Sequence, residues 1–384
     1  MANARSKSIA KHDAKLAPEK NAAATDLPGQ VVLVLQGGGA LGAYQAGVYE
    51  ALHEANIEPD WIVGTSIGAI NGALIAGNAP ENRVARLRQF WEMASSSTWS
   101  AQHWDTLNLG RLIPNLGIVS QGVPGFFSPK SGAWLSSHMP VGVSDAAYYS
   151  TAPLRNTLKE LVDFERIAKV EMRLTLGAVN VRSGDMRYFD SRDEIVGMDH
   201  VMASGALPPA FPAVMIDGEP YWDGGIYSNT PIEVVMNDNP RRDAVIFAAE
   251  LWQQESLAPD SILEVMGRQK DIQYASQAES HTKRQQEIHH LRHVVRELGK
   301  LLPDDVRSRD ETRELLSWGC GTVMHVVPLR VPAVKGEDHT KDIDFTPASV
   351  RARWDAGREQ TRRVIAQAPW NAAIDPAIGI FVHA

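Results

Sequence analysis

The sequence predicts an α/β fold: a central, mostly parallel β-sheet covered by helices, with a helical elaboration towards the C-terminus. Three observations carry this expectation. Val31–Leu35 is a continuous, β-branched apolar run, the pattern of a strand buried on both faces of a parallel sheet. Strand and helix patterns then alternate β-α-β-α as far as Ala76. The second helix of that series, Ile67–Ala76, is rich in Ala, Ile and Gly, so its backbone can lie close against a sheet.

In chain order, Val31–Leu35 is the first strand, followed by a glycine loop and a helix over Ala43–Ala55. Trp61–Val63 is a short strand and Ile67–Ala76 the next helix. From Ser95 to Tyr149 the periodicity gives way to Gly, Pro, Ser and aromatics, including Trp99, Trp104, Phe126, Phe127, Trp134, Tyr148 and Tyr149. Such long irregular stretches serve as lids or binding loops, or pack as surface excursions. Thr151–Phe164 reads as a helix. Arg173–Val181 and Met186–Asp190 read as one hairpin, Val214–Ile216 and Pro220–Trp222 as another. Thr230-Pro-Ile-Glu233 has the form of a capping box with proline at the first helical position. Ala244–Leu251 and Thr322–Val331 are core strands, and Ser349–Ala368 is a final amphipathic helix. Between Trp252 and Gly319 lies a charged, mostly helical stretch. There Ile288, Leu291, Val294, Val295 and Leu298 form an apolar stripe expected to dock on the domain.

Composition narrows the function classes. The 384 residues are 44% hydrophobic and 22% charged, enough for a large core and unlike a disordered chain. The formal net charge of −8 argues against a general nucleic-acid binder. Cys320 is the sole cysteine, which excludes an internal disulfide and a Cys-rich zinc site and fits a reducing, cytoplasmic setting. Met1–Gln30 lacks a continuous apolar core and reads as a flexible basic tail instead of a signal peptide. No run reaches the length of a spanning helix, so membrane contact is expected to be peripheral, at the inner membrane face. Positive charge is concentrated in the tail and in His281–Lys300, which holds five Lys or Arg against two Glu and could lie on an anionic surface. His289 and His293 stand four apart on that helix but have no acidic or cysteine companion, and no metal is expected.

Two motifs carry the chemistry. Gly37-Gly-Gly-Ala-Leu-Gly42 fits G-x-G-x-x-G between a strand and a helix, where backbone N–H groups can hold negative charge. A dinucleotide site would want an acid at the end of the second strand, whereas Glu58 and Asp60 precede it. That strand's end instead carries Gly64-Thr-Ser66-Ile-Gly68, the G-x-S-x-G nucleophile elbow. Small residues at Gly64 and Gly68 let the sharp turn present Ser66, and the three glycines Gly37, Gly38 and Gly39, with Ile67, can offer N–H donors to an oxyanion. A serine needs a base. His325 lies mid-strand, His339 in a polar loop and His383 next to the end, so none has the context of a catalytic histidine. Asp223-Gly224-Gly225 closes a hairpin strand and is better placed; Asp217-Gly218 reads as the turn of that hairpin.

These elements, in this order, resemble the patatin-like phospholipase family: glycine-rich loop, G-x-S-x-G serine and an aspartate in D-G-G. Ala203–Pro212 resembles the family's segment before the aspartate hairpin, and residues 252–384 an extra C-terminal region found in some bacterial members. The resemblance implies a three-layer α/β/α fold, a catalytic domain over 31–251 with a lid or acyl-binding excursion over 95–150, and a helical region 252–384 whose strand 322–331 returns to the core. It further implies a Ser66–Asp223 dyad without histidine or cofactor, acting on a lipid or other acyl ester. Leu41 departs from the pattern, since many members place Arg or Lys there. An esterase or thioesterase on non-phospholipid esters shares the mechanism and stays open beside the phospholipase reading. A nucleotide-binding protein using the glycine loop is the remote alternative, and the oligomeric state is not legible.

Overall fold

The computed structural model describes residues 27–96, 120–133, 138–256, 258–332, 339–372, 375 and 378–383. Trp99, Trp104, Trp134 and most of the basic tail lie outside them.

Eleven strands are described: β1 Gln30–Leu35, β2 Trp61–Thr65, β3 Ser128–Pro129, β4 Tyr149–Ser150, β5 Arg173–Asn180, β6 Met186–Asp190, β7 Val214–Ile216, β8 Glu219–Asp223, β9 Ala244–Glu250, β10 Met324–Arg330 and β11 Ile380–Val382. Nine form the main sheet in the order β11-β10-β9-β1-β2-β5-β8-β7, with β6 also on β5. The six from β11 to β5 run parallel, and β6, β7 and β8 add antiparallel hairpins. This is the mixed, mostly parallel α/β architecture that the alternating pattern predicts.

The sheet is buried on both sides because alternate residues of a strand face opposite ways. Val31, Leu33 and Leu35 join the core beneath the Ala43–Glu54 and Ile67–Ala76 helices. Val32 and Val34 join Trp61, Val63 and Ile246 on the other face, with Ile232, Val235 and Met236. The Pro347–Gln367 helix lies along the first helix, tied by Arg358 and Arg362 to Glu54.

One detail of register positions the site. β2 pairs with β5 only as far as Thr65 opposite Gly177. At the next residue of β5, Ala178, the partner is Asp223 of β8. β6 already occupies the other edge of β5 over Thr175–Val179. β8 therefore takes up the edge that β2 vacates, and Asp223 arrives where the chain leaves β2 at Ser66.

Three local expectations need correction. The helix after Thr151 spans Ala152–Leu161, and Phe164 begins a separate short helix capped by Asp163, whose carboxylate accepts from Glu165 and Arg166. The capping box at Thr230–Glu233 does not form: the helix is Ile232–Met236, without a side-chain cap. Thr230 Oγ1 instead accepts from Gln36, and Glu233 accepts from Tyr188 and Ser228. The apolar stripe of the long helix, Ile262–Leu301, is not its docking face: Leu291 and Leu298 are exposed. The buried face carries Gln285, His289 and His293. His289 Nε2 hydrogen-bonds the Met236 carbonyl at 2.8 Å and His293 Nε2 that of Thr322 at 3.0 Å. Among the described residues no helix is long and apolar enough to cross a membrane.

Candidate active site

Ser66 sits between β2 and the Ile67–Ala76 helix with φ +57° and ψ −123°. A non-glycine residue held there stores backbone strain. The surroundings enforce it. A Cβ on Gly64 would come 2.5 Å from the Gly68 carbonyl, and one on Gly68 would come 2.2 Å from that of Leu35. The Ser66 N–H donates to Ser204 Oγ at 3.1 Å, and Ser204 donates onward to the Gly177 carbonyl at 2.7 Å. Ser204, within the Ala203–Pro212 segment, therefore clamps the turn to β5, a role that the sequence pattern of that segment does not assign.

Asp223 is 1% exposed. Its Oδ1 accepts the Gly225 N–H at 2.7 Å, and the Ser66 side chain lies within hydrogen-bonding reach. Burial pushes its carboxyl up to about 7, against weaker opposite pulls from Ser66 and Gly225. Asp217 and Gly218 both have positive φ and form the β7–β8 turn.

The glycine loop leaves β1 and is held from three sides. Gln36 donates to Thr230 and accepts from Trp252. The Gly37 carbonyl accepts from Asn229 Nδ2 at 2.9 Å and from Trp252 Nε1 at 2.7 Å. The Ala40 N–H donates to the Asp342 carbonyl at 2.8 Å. The Gly37 N–H also has a partner, the Asn229 carbonyl at 3.1 Å, so it is not available to an oxyanion as its motif position implies. Gly38 and Gly39 keep N–H groups without a hydrogen-bond partner among the described residues. Leu41 is buried in the core.

These groups open on a cavity of about 290 Å³. Gly37, Gly38, Gly39, Ser66, Ile67, Asp223 and Gly225 line its floor. Phe126, Phe127, Tyr149, Phe211 and Phe345 form an aromatic wall, with Phe127 packed edge-on to Tyr149 at 5.0 Å between centroids. Phe126, Phe127 and Tyr149 come from the irregular aromatic stretch. Trp252, Tyr274, Asp342 and Ile343 complete the lining from the C-terminal part of the chain, where the sequence singled out no site residue. No histidine lines the cavity among the described residues. His325 and His383 stack on each other across the sheet edge, Nδ1 to Nε2 at 2.9 Å. The acids considered for a nucleotide are also engaged elsewhere: Asp60 accepts the Val31 N–H, and Glu58 pairs with Arg83 and His53.

A profile described as patatin-like phospholipase matches residues 33–236, more than half of the chain. The chain belongs to the patatin-like phospholipase family. A second profile, described as patatin phospholipase, matches residues 272–377, so the C-terminal part also has counterparts among patatin-like proteins. The chain is similar to lysophospholipase nte1 of Aspergillus terreus, 43% identical over 84 residues that make up 20% of this chain and 6% of that protein. It is 40% identical over 67 residues to human patatin-like phospholipase domain-containing protein 6, covering 17% of this chain and 5% of the relative. The chain thus spans only a small fraction of the length of these curated relatives. Among solved structures, VipD from Legionella pneumophila aligns over 88% of this chain and 67% of its own, at 14% identity and a TM-score of 0.40.

Proposed function

We propose that this patatin-like protein is a serine acyl hydrolase that cleaves carboxylic esters of lipids, with Ser66 as nucleophile and Asp223 as proton acceptor. One observation carries the reading: a serine on a strained turn, within reach of a buried carboxyl, on the floor of an aromatic cavity. Ionised Asp223 takes the Ser66 hydroxyl proton as Oγ attacks the ester carbonyl. The oxyanion is held by the N–H groups of Gly38 and Gly39, with Ile67 at the start of the following helix. The tetrahedral intermediate collapses, the alcohol leaves with the proton from Asp223, and Ser66 keeps the acyl group. A water then gives a proton to Asp223 and attacks the acyl-enzyme, and Ser66 recovers its proton as the fatty acid departs. The acyl chain lies against Phe126, Phe127, Tyr149 and Phe211. A fluorophosphonate probe is expected to label Ser66 covalently, and Ser66→Ala to remove both label and turnover. Labelling that survives in Ser66→Ala would mean a different nucleophile.

The reading includes peripheral contact with an anionic membrane from the cytoplasmic side, through the outer surface of the Ile262–Leu301 helix. Leu291 and Leu298 are exposed there, as are Lys283, Arg284 and Lys300. Flotation with anionic vesicles is expected at roughly 0.05 M salt and to be lost at roughly 0.5 M, because screening shortens the reach of these charges. Equal flotation at both salts, or with neutral vesicles, contradicts an electrostatic contact.

A further inference from the structure

Arg83 and Arg173 are withdrawn from solvent, and each faces a carboxylate: Arg83 that of Glu58 at 2.6 Å, Arg173 those of Asp190 and Asp238 at 2.6 and 2.9 Å. Arg241 and Arg292 are treated differently. Arg241 lies in the loop between the Ile232–Met236 helix and β9, and Arg292 on the Ile262–Leu301 helix, three residues after His289. Both are half-buried. Arg241 Nε and Arg292 Nη1 are closed off from solvent and have no hydrogen-bond partner among the described residues. The two guanidiniums are close enough to repel. Burial first, and Arg241 second, hold the Arg292 guanidinium below its ordinary pKa.

No described group balances this charge. Asp238, in the same loop as Arg241, is taken by Arg173 and Arg192, and Asp243 accepts the Val323 N–H at 2.8 Å. The Cys320 thiol beside Arg292 is engaged with Thr322 Oγ1. His289 stays neutral: burial pushes it down to about 4, with Arg292 and Arg241 adding to the effect, and its Nε2 is held by the Met236 carbonyl. A buried guanidinium needs an acceptor for its N–H groups and an opposite charge. Water satisfies the first need and not the second. Two like charges withdrawn together raise the cost further, and a shared anion removes it.

We propose that Arg241 and Arg292 bind a phosphate group, carried by free phosphate or by the headgroup of an anionic lipid, where the long helix meets the catalytic body. A phosphate monoester carries about −1.5 to −2 at pH 7, so one group neutralises both guanidiniums, whereas a carboxylate would leave one uncompensated. The planar forks of two arginines donate in pairs to its oxygens. Bound there, it ties the helix to the loop beside the contact that His289 makes with Met236. Neither arginine lines the catalytic cavity. The site is therefore separate from Ser66 and Asp223, and it stands whether or not the chain hydrolyses esters.

The test is thermal unfolding of the full chain in inorganic phosphate and in sodium chloride of equal ionic strength. The wild-type Tm is expected to be about 2 °C or more higher in phosphate, with an effect that saturates with concentration. Arg241→Met and Arg292→Met are each expected to weaken the apparent phosphate affinity by about tenfold or more. Arg284→Met, which removes an exposed charge from the same helix, is expected to keep it. Without phosphate, the two site variants are expected to melt no lower than the wild type, because each removes one of two repelling charges. Where a methionine variant does not fold, Arg292→Lys takes its place: it keeps the charge, loses the fork and is expected to bind phosphate several-fold more weakly. Dihexanoyl phosphatidic acid, a soluble lipid, separates the two sources in the same measurement. Binding about tenfold tighter than inorganic phosphate, and lost in the site variants, assigns the site to a lipid headgroup; equal affinity, lost in the same variants, assigns it to phosphate alone. Equal Tm in phosphate and chloride, or a phosphate effect that persists in both site variants, overturns the proposal. A lower Tm in both variants with no phosphate effect in the wild type marks a packing role for the arginines and overturns it as well.

Discussion

Asp223→Asn is expected to lower kcat/KM for a p-nitrophenyl acyl ester by roughly 10²–10⁴-fold, the usual contribution of a positioned general base. Asparagine keeps the shape and can still accept the Gly225 N–H, but it cannot take a proton from Ser66. The wild-type profile should have an acid limb set by the same group. Burial holds the Asp223 carboxyl at about 7, so turnover is expected to rise as pH passes through that value and the carboxylate form fills. Asp223→Asn should lack the limb altogether.

The same shift has a consequence for stability, with a definite sign. The Asp223 carboxyl titrates near its ordinary 3.8 in the unfolded chain and near 7 in the folded protein. Between these values the folded state holds a proton that the unfolded chain has lost. Stability from this group is therefore complete below about pH 4 and falls as pH rises, until about 7, where the native carboxyl also ionises. The whole loss is on the order of 4 kcal/mol. Asparagine never charges, so Asp223→Asn and wild type should unfold at similar temperatures near pH 4.5, with the variant distinctly more stable near pH 8. Other titrating groups are common to both and cancel in the difference. Parallel Tm–pH curves for the two proteins would show that Asp223 does not carry the shifted proton. A base with this pKa is useful at neutral pH because the protein tolerates a buried charge there, and the variant measures what that tolerance costs.

How much of this was legible in the sequence depends on the range of the interaction involved. Ile67–Ala76 was readable to the residue, and Val31–Leu35 to within one, because a small-residue helix and a continuous apolar strand beside glycine turns are local signals. Ser66 and Asp223 were readable because the tight backbone around each demands glycine nearby in sequence. The groups that hold the loop were not. Gln36 meets Thr230, Trp252 meets Gly37, and Ala40 meets Asp342, pairs separated by some 200 to 300 positions with no pattern linking them. The capping box failed for the same reason: Thr230 and Glu233 have the right spacing, but distant side chains had already claimed both. The long helix failed differently. Hydrophobic periodicity found the stripe of Leu291 and Leu298, whereas the helix docks through His289 and His293, which bury polar rings by hydrogen-bonding carbonyls. Periodicity sees apolar faces and has no means of seeing a polar one held by hydrogen bonds to distant carbonyls.

Gly39→Ala tests whether the C-terminal part of the chain is bound into the chemistry, and it is expected to lower kcat by roughly 10²–10³-fold, the effect of losing one oxyanion donor. Gly39 has φ +55°, a conformation that strains any side chain. A Cβ there would also sit 2.2 Å from the Asp342 carbonyl, the same atom that accepts the Ala40 N–H. Backbone cannot be moved aside as a side-chain tip can, so the peptide must rotate or the 339–345 segment must retreat. Either movement re-aims the Gly39 N–H and loosens the wall carrying Asp342, Ile343 and Phe345. KM should change far less than kcat, because the oxyanion exists in the transition state and not in the bound ester. The cost to global stability should exceed about 1 kcal/mol, because displacing the Asp342 backbone adds to forcing alanine into a glycine conformation, so kcat is compared on protein whose folding is checked by its Tm. A variant within about threefold of wild-type kcat would place the oxyanion donors outside Gly39, with Gly38 and Ile67 as the remaining N–H groups on the cavity floor.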